Sequence, residues 1–213
     1  LRHRAMAPEA AFNASKKIVD LKPEKESDAF KLATGIISYH RVATVGDASD
    51  GDRAAVVKTV SDRVGSKKAE EADRSAVGLL IRLAKNLERS GHFKEATQIY
   101  RKFGKQFSES SDEDLAGLGR EFKASARRTS LPGNEMKLEG TTFEGEKFDW
   151  ESYRGKVVLV DFWATWCGPC LAAIPDIKRY YDRYSDKGFE VVGISIDEDR
   201  EALDAFLTRE QLP

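Results

Sequence analysis

Cys167 and Cys170 are the only cysteines among 213 residues, and only Gly168 and Pro169 stand between them. Two thiols this close in sequence cannot staple a fold. A structural zinc site needs about four ligands, and His3, His40 and His92 lie far off on different helical segments. Neither a metal nor a cofactor is therefore expected. What remains is thiol–disulfide exchange: a reactive sulfur attacks a disulfide, and a neighbour within reach resolves the mixed disulfide.

That chemistry depends on what holds the pair. Upstream, Lys156 to Trp163 is a continuous apolar run of the kind buried on both faces of a parallel sheet. Downstream, roughly Cys170 to Tyr184 reads as a helix, bent at Pro175. The pair thus sits where a strand feeds a helix. Unpaired first-turn N–H groups and the positive end of the helix dipole stabilise a thiolate there, so Cys167 is the expected nucleophile. Cys170, on the same helical side, is the resolving thiol. Gly168 is expected to permit the tight turn, and Pro169 suits a helix start, where its missing N–H costs nothing. Trp163 and Trp166 are expected to form an apolar rim for a substrate chain.

The rest of the second half completes an α/β pattern. Lys137 to Phe148 reads as a β-hairpin turning at Glu144-Gly145-Glu146. Asp149 caps a short helical turn through Tyr153. After Gly188, Phe189 to Ile196 is a second buried strand, and Arg200 to Glu210 is a helix with Leu203, Phe206 and Leu207 inward. The order is a hairpin followed by βαβα.

Trp163-Ala164-Thr165-Trp166-Cys167-Gly168-Pro169-Cys170 resembles the thioredoxin active site almost residue for residue. With the hairpin, Tyr153 to Val160 ahead of the motif and Ile174-Pro175 behind it, residues from about Met136 to Pro213 resemble the TlpA-like (redoxin) thiol–disulfide oxidoreductases. The resemblance implies several roles. Cys167 and Cys170 form the redox pair, and Asp161, six residues before Cys167, matches a buried acid that relays the proton of the second thiol. Trp166, with Gly168 and Pro169, contacts substrate. The clients are protein disulfides, an upstream thiol donor restores the dithiol, and the Gly-Pro dipeptide points to a reductant. The place implied is extracytoplasmic, in a bacterial periplasm or anchored outside a membrane, although nothing in the residues excludes the cytoplasm. Ala173 stands where many of these proteins carry a Glu, which puts that residue's tuning role in doubt. Thr165 is two positions before Cys167 rather than three, which argues against peroxidase chemistry. The family continues with a cis-proline, an edge strand and a closing helix. The chain is accordingly expected to be truncated at Pro213, itself a candidate for that proline, with the strand edge uncovered and catalysis impaired.

The first half is different in kind. Residues 1–130 carry 25 Lys/Arg against 19 Asp/Glu, and residues 131–213 carry 10 against 17, so a net of +6 is followed by −7. All three tryptophans lie in the second part. From about Pro8 to Arg128 the pattern is helical, with segments at Glu24–Val45 and Asp52–Val64 separated by a turn at Gly46–Gly51. The clearest stripes are Val77, Leu80, Ile81, Ala84 and Leu87, then Phe93, Ala96, Tyr100, Phe103 and Phe107, then Leu115, Leu118, Phe122 and Ala126. Gly91 to Ala96 with Tyr100 resembles the second half of a tetratricopeptide repeat. One half without a repeating 34-residue period favours a generic bundle with an aromatic core over a repeat domain with a peptide groove. Arg127 to Asn134 reads as the linker. The expected architecture is α+β with two domains: an all-α domain over 1–130, then an incomplete thioredoxin-like domain over 131–213.

Composition sets the remaining limits. The overall net charge of −1 gives no global positive field for nucleic acid, and no run approaches the roughly 20 apolar residues of a membrane span. Leu1-Arg2-His3-Arg4 is not followed by an apolar leader core. The functional expectation is a dithiol oxidoreductase acting on protein disulfides. Its rival is a redox-linked binding module in which the helical domain docks a partner and the thiols sense redox state.

Overall fold

Ser27, Ser49, Asp73 and Asp112 each precede an amphipathic stretch, and in each the side-chain oxygen accepts a hydrogen bond from a first-turn amide. These are the residue types whose short oxygens satisfy the orphan donors of a helix start. The computed structural model describes residues 2–21, 23–25, 27–65 and 69–210. Pro213, the candidate cis-proline, lies outside them. Contacts divide the chain into two compact units, Leu1–Met136 and Lys137–Pro213.

Among the described residues the first unit holds six α-helices: α1 (Arg2–Asp20), α2 (Asp28–Ala43), α3 (Asp50–Val64), α4 (Arg74–Arg89), α5 (Phe93–Ser108) and α6 (Glu113–Thr129). Its core joins the stripes of α4, α5 and α6 to Val42 of α2 and Val56, Val60 and Val64 of α3. Leu80, Leu83, Leu87, Phe103 and Phe107 are fully buried, with Leu115, Tyr100 and Phe122 beside them. Tyr100 meets Phe122 edge-on at 5.1 Å. Gly104 and Gly119 let α5 and α6 approach: a Cβ on Gly119 would overlap the Ser108 amide nitrogen and lie 2.7 Å from the Phe107 carbonyl carbon. Across the same contact the buried Thr97 hydroxyl donates to Thr129 Oγ1 at 2.7 Å. His92 caps α5 by position and lies 3.0 Å from the Gly46 carbonyl. Helix α1 begins well before the first stripe legible in the sequence.

The second unit carries β1 (Val157–Trp163), α7 (Gly168–Tyr184), β2 (Phe189–Ser195) and α8 (Arg200–Glu210). The strands pair in parallel, from Val157↔Phe189 to Trp163↔Ser195, so both end on the same side. Gly188 takes a left-handed φ of 82° to turn the chain into β2. Asp149 accepts from the Glu151 amide and opens a 3₁₀ turn, Trp150–Tyr153.

Two expectations need correction. The hairpin over Lys137–Phe148 is shorter than read: one antiparallel bridge, Thr141↔Lys147, flanked by the Thr142 amide donating to the Glu146 carbonyl at 2.7 Å and the Phe148 amide donating to the Gly140 carbonyl at 3.0 Å, and closed by Gly145 N–H to Thr142 O. The apolar strand is not buried on both faces. Val157 is 71% and Phe162 54% exposed, because β1 has one strand neighbour among the described residues. Among the described residues of this unit the buried hydrophobic ones are Trp163, Ala164, Val192 and Phe206.

Candidate active site

The strand-to-helix junction arises directly from the local sequence. Trp163 ends β1 as a buried anchor, with its ring 5.1 Å from that of Phe206 on α8. Ala164, fully buried, begins a turn closed by the Cys167 amide donating to the Ala164 carbonyl at 3.0 Å. Cys167 is then the N-cap of α7, and its carbonyl accepts the first helical bond, from the Leu171 amide at 3.0 Å. Pro169 occupies the first turn, where no partner for its nitrogen is needed. Cys167 makes no side-chain capping bond, so the first turn of α7 is left without a side-chain cap.

Cys167 and Cys170 are joined as a disulfide, with a Cα–Cα distance of 5.2 Å. That separation is ordinary for a disulfide. One turn of helix therefore brings the second sulfur onto the first, and both cysteines are half-buried. Trp166 stands 71% exposed beside them. Trp163, expected as a second rim residue, is 6% exposed and belongs to the core below. The single step between strand and turn decides which indole is presented. Gly168 has no left-handed φ, and a Cβ there would meet nothing within 4 Å. The turn therefore does not require a glycine. The residue instead leaves open the surface next to the sulfurs.

Asp161 is half-buried, opposite Gly193 in the sheet. It lines a cleft of about 290 Å³ with Trp163, Ile174, Ile177, Lys178 and Tyr181, between the sheet and α7. Neither cysteine lines that cleft. Ala173 is exposed on α7.

One residue beside the motif escaped the sequence reading. Asp197 follows β2, and its carboxylate accepts the Thr165 hydroxyl at 2.7 Å, the Thr165 amide at 3.1 Å and the Ser195 hydroxyl at 2.8 Å. Burial raises its carboxyl, but the bonds from Thr165 and Ser195 outweigh this and hold it below the usual carboxylate range. The available signal was positional: parallel strands bring their carboxyl ends together, where α/β proteins place their sites.

Residues 123–213 match the redoxin family model. Among curated proteins, the chain is 35% identical over 72 residues to the thiol-disulfide oxidoreductase ResA of Bacillus thuringiensis subsp. konkukian, covering 34% of this chain and 42% of that protein. It is 41% identical over 78 residues to the thiol-disulfide oxidoreductase ResA of Oceanobacillus iheyensis, covering 37% and 41%. The chain thus spans about two fifths of the length of these relatives. A solved thiol:disulfide interchange protein of the thioredoxin family from Chlorobium tepidum TLS is 28% identical, covering 38% of this chain and 59% of that one, with a TM-score of 0.33. The resemblance read from the motif therefore holds: the C-terminal part of the chain is similar to redoxin-family thiol-disulfide oxidoreductases.

Proposed function

We propose, taking the redoxin match of residues 123–213 as the premise, that the protein is a dithiol oxidoreductase that reduces protein disulfides. The observation that carries this reading is the bonded Cys167–Cys170 pair at the uncapped start of α7. In the dithiol form, the Cys167 thiolate attacks one sulfur of a client disulfide. The client S–S bond breaks, a mixed disulfide forms, and the displaced client thiolate takes up a proton. The Cys170 thiol then loses its proton and attacks Cys167 Sγ. The intramolecular disulfide forms and the second client thiol leaves. The client gains two electrons and the protein loses two. A dithiol donor restores the pair by the reverse chemistry.

Exposed Trp166, open Gly168 and Pro169 form the surface that a client would meet. Asp161, facing a cleft beside α7, is the candidate for receiving the Cys170 proton through water. The two compact units correspond in this reading to a helical domain and a thioredoxin-like domain. An extracytoplasmic location rests on the TlpA-like resemblance.

The test is trapping. With insulin as client, Cys170→Ser should accumulate a covalent adduct that dithiothreitol releases, whereas Cys167→Ser should form none. Equal adducts from both variants, or none from either, would reject the reading.

A further inference from the structure

The turn that delivers Cys167 has few bonds of its own. Within the turn the backbone closes one hydrogen bond, from the Cys167 amide to the Ala164 carbonyl. Ala164 is anchored by burial, and Trp166 is exposed. Thr165 lies between them, and three bonds tie it across the sheet end to Asp197. The two strands make this possible: the Ile196 amide donates to the Trp163 carbonyl at 2.9 Å, carrying the ladder one residue past β2 and bringing Asp197 level with Thr165. Ser195 holds the carboxylate from behind, because its hydroxyl donates to Asp197 Oδ2 and accepts the Asp197 amide at 3.0 Å.

We propose that Asp197 is a positioning residue for the redox pair: through Thr165 it fixes the turn Ala164–Cys167 and thereby sets the equilibrium between dithiol and disulfide. The inference rests on the exchange reading above. An intramolecular disulfide is stable in proportion to how well the scaffold holds its two sulfurs at bonding range, which is a matter of effective concentration. Cys170 is held by α7 itself. Cys167 is the N-cap, outside the regular helix, and depends on the turn before it. The carboxylate is suited to this task because one ionised group accepts both the amide and the hydroxyl of Thr165. An amide side chain would offer one oxygen in place of two.

The experiment equilibrates the 213-residue chain with glutathione buffers and reads the dithiol fraction by alkylation. Asp197→Ala should weaken the disulfide about tenfold, which raises the potential by about 30 mV. Thr165→Val, which loses only the hydroxyl bond, should shift it in the same direction by less, and Thr165→Ser should match the parent. Thr165→Val added to Asp197→Ala should change little further, because both act through one contact. Circular dichroism at the assay temperature establishes that each variant is folded. If Asp197→Ala fails to fold, the Thr165→Val and Thr165→Ser pair decides. A parent that cycles normally, with Asp197→Ala or Thr165→Val within twofold of it, overturns the role of Asp197 and leaves the exchange reading standing. A parent that does not cycle at all overturns the exchange reading and this inference with it.

Discussion

Phe206→Ala should unfold the redox unit well before the helical one. Phe206 is 6% exposed, and its ring lies 5.1 Å from that of Trp163, the residue that ends β1 ahead of the motif. Replacing a buried phenylalanine by alanine costs about 3–5 kcal/mol in transfer and cavity terms. A unit of this size has about 4–12 kcal/mol of stability in all, and among its described residues the buried hydrophobic ones are Trp163, Ala164, Val192 and Phe206. With a urea dependence of about 1 kcal/mol per molar, a loss of 3 kcal/mol moves the midpoint down by about 3 M. Two probes separate the units. Trp150, Trp163 and Trp166 all lie in the second unit, so tryptophan fluorescence reports on it alone. Ellipticity at 222 nm is dominated by α1 to α6. Fluorescence should show the early transition while most of the ellipticity melts where it does in the parent. A fluorescence midpoint within about 0.5 M of the parent value would refute the core assignment. An equal shift in both probes would refute the two-domain reading.

Two further outcomes can be checked in the helical unit. Gly119→Ala should destabilise by about 1–3 kcal/mol through overpacking against the α5 backbone, whereas Gly117→Ala, whose Cβ meets only Arg120 Nη2 at 3.6 Å, should stabilise by up to about 1 kcal/mol; chemical denaturation checks both signs. Burial and the Glu88 charge push the Tyr100 hydroxyl up to about 12, so Tyr100→Phe should remove a late step from the absorbance titration at 295 nm. The Arg128 guanidinium holds Glu88 below its ordinary value of 4.5. Its folded value is the lower one, so its contribution is fully present above pH 4.5 and is lost progressively as pH falls from there through the lower folded value. Glu88→Gln should therefore lower the melting temperature at pH 7 and make its fall below pH 4.5 shallower.

The elements around the sulfurs were legible because each carries a strong local signal. β2, α7 and α8 follow from an apolar run after Gly188, a proline at a helix start and a stripe through Phe206. The stripes of α4, α5 and α6 were legible for the same reason, since 3.6-residue periodicity survives without knowledge of the partner. Exposure was not legible. The composition of β1 matches a strand covered on both faces, but coverage depends on which elements pack there, and Val157 and Phe162 are open. Trp163 and Trp166 look alike in sequence, and only the turn between them buries one and presents the other. The expectation for Gly168 failed because a glycine at a helix start is ambiguous between a strained φ and vacant space, and here it has vacant space. Asp197 was missed because its partner is 32 residues away, joined only by the parallel register of the strands.

The uncapped start of α7 ties folding to electron count. Helices α2, α3, α4 and α6 each hold an oxygen over their first amides, a contact worth about 1 kcal/mol. α7 has Cys167 as its N-cap instead, and in the disulfide that neutral sulfur makes no capping bond. Once two electrons arrive, the same atom can carry a negative charge and serve as the missing cap. The expectation is a start of α7 that is firmer in the dithiol than in the disulfide, which amide exchange of the first turn in the two forms would read.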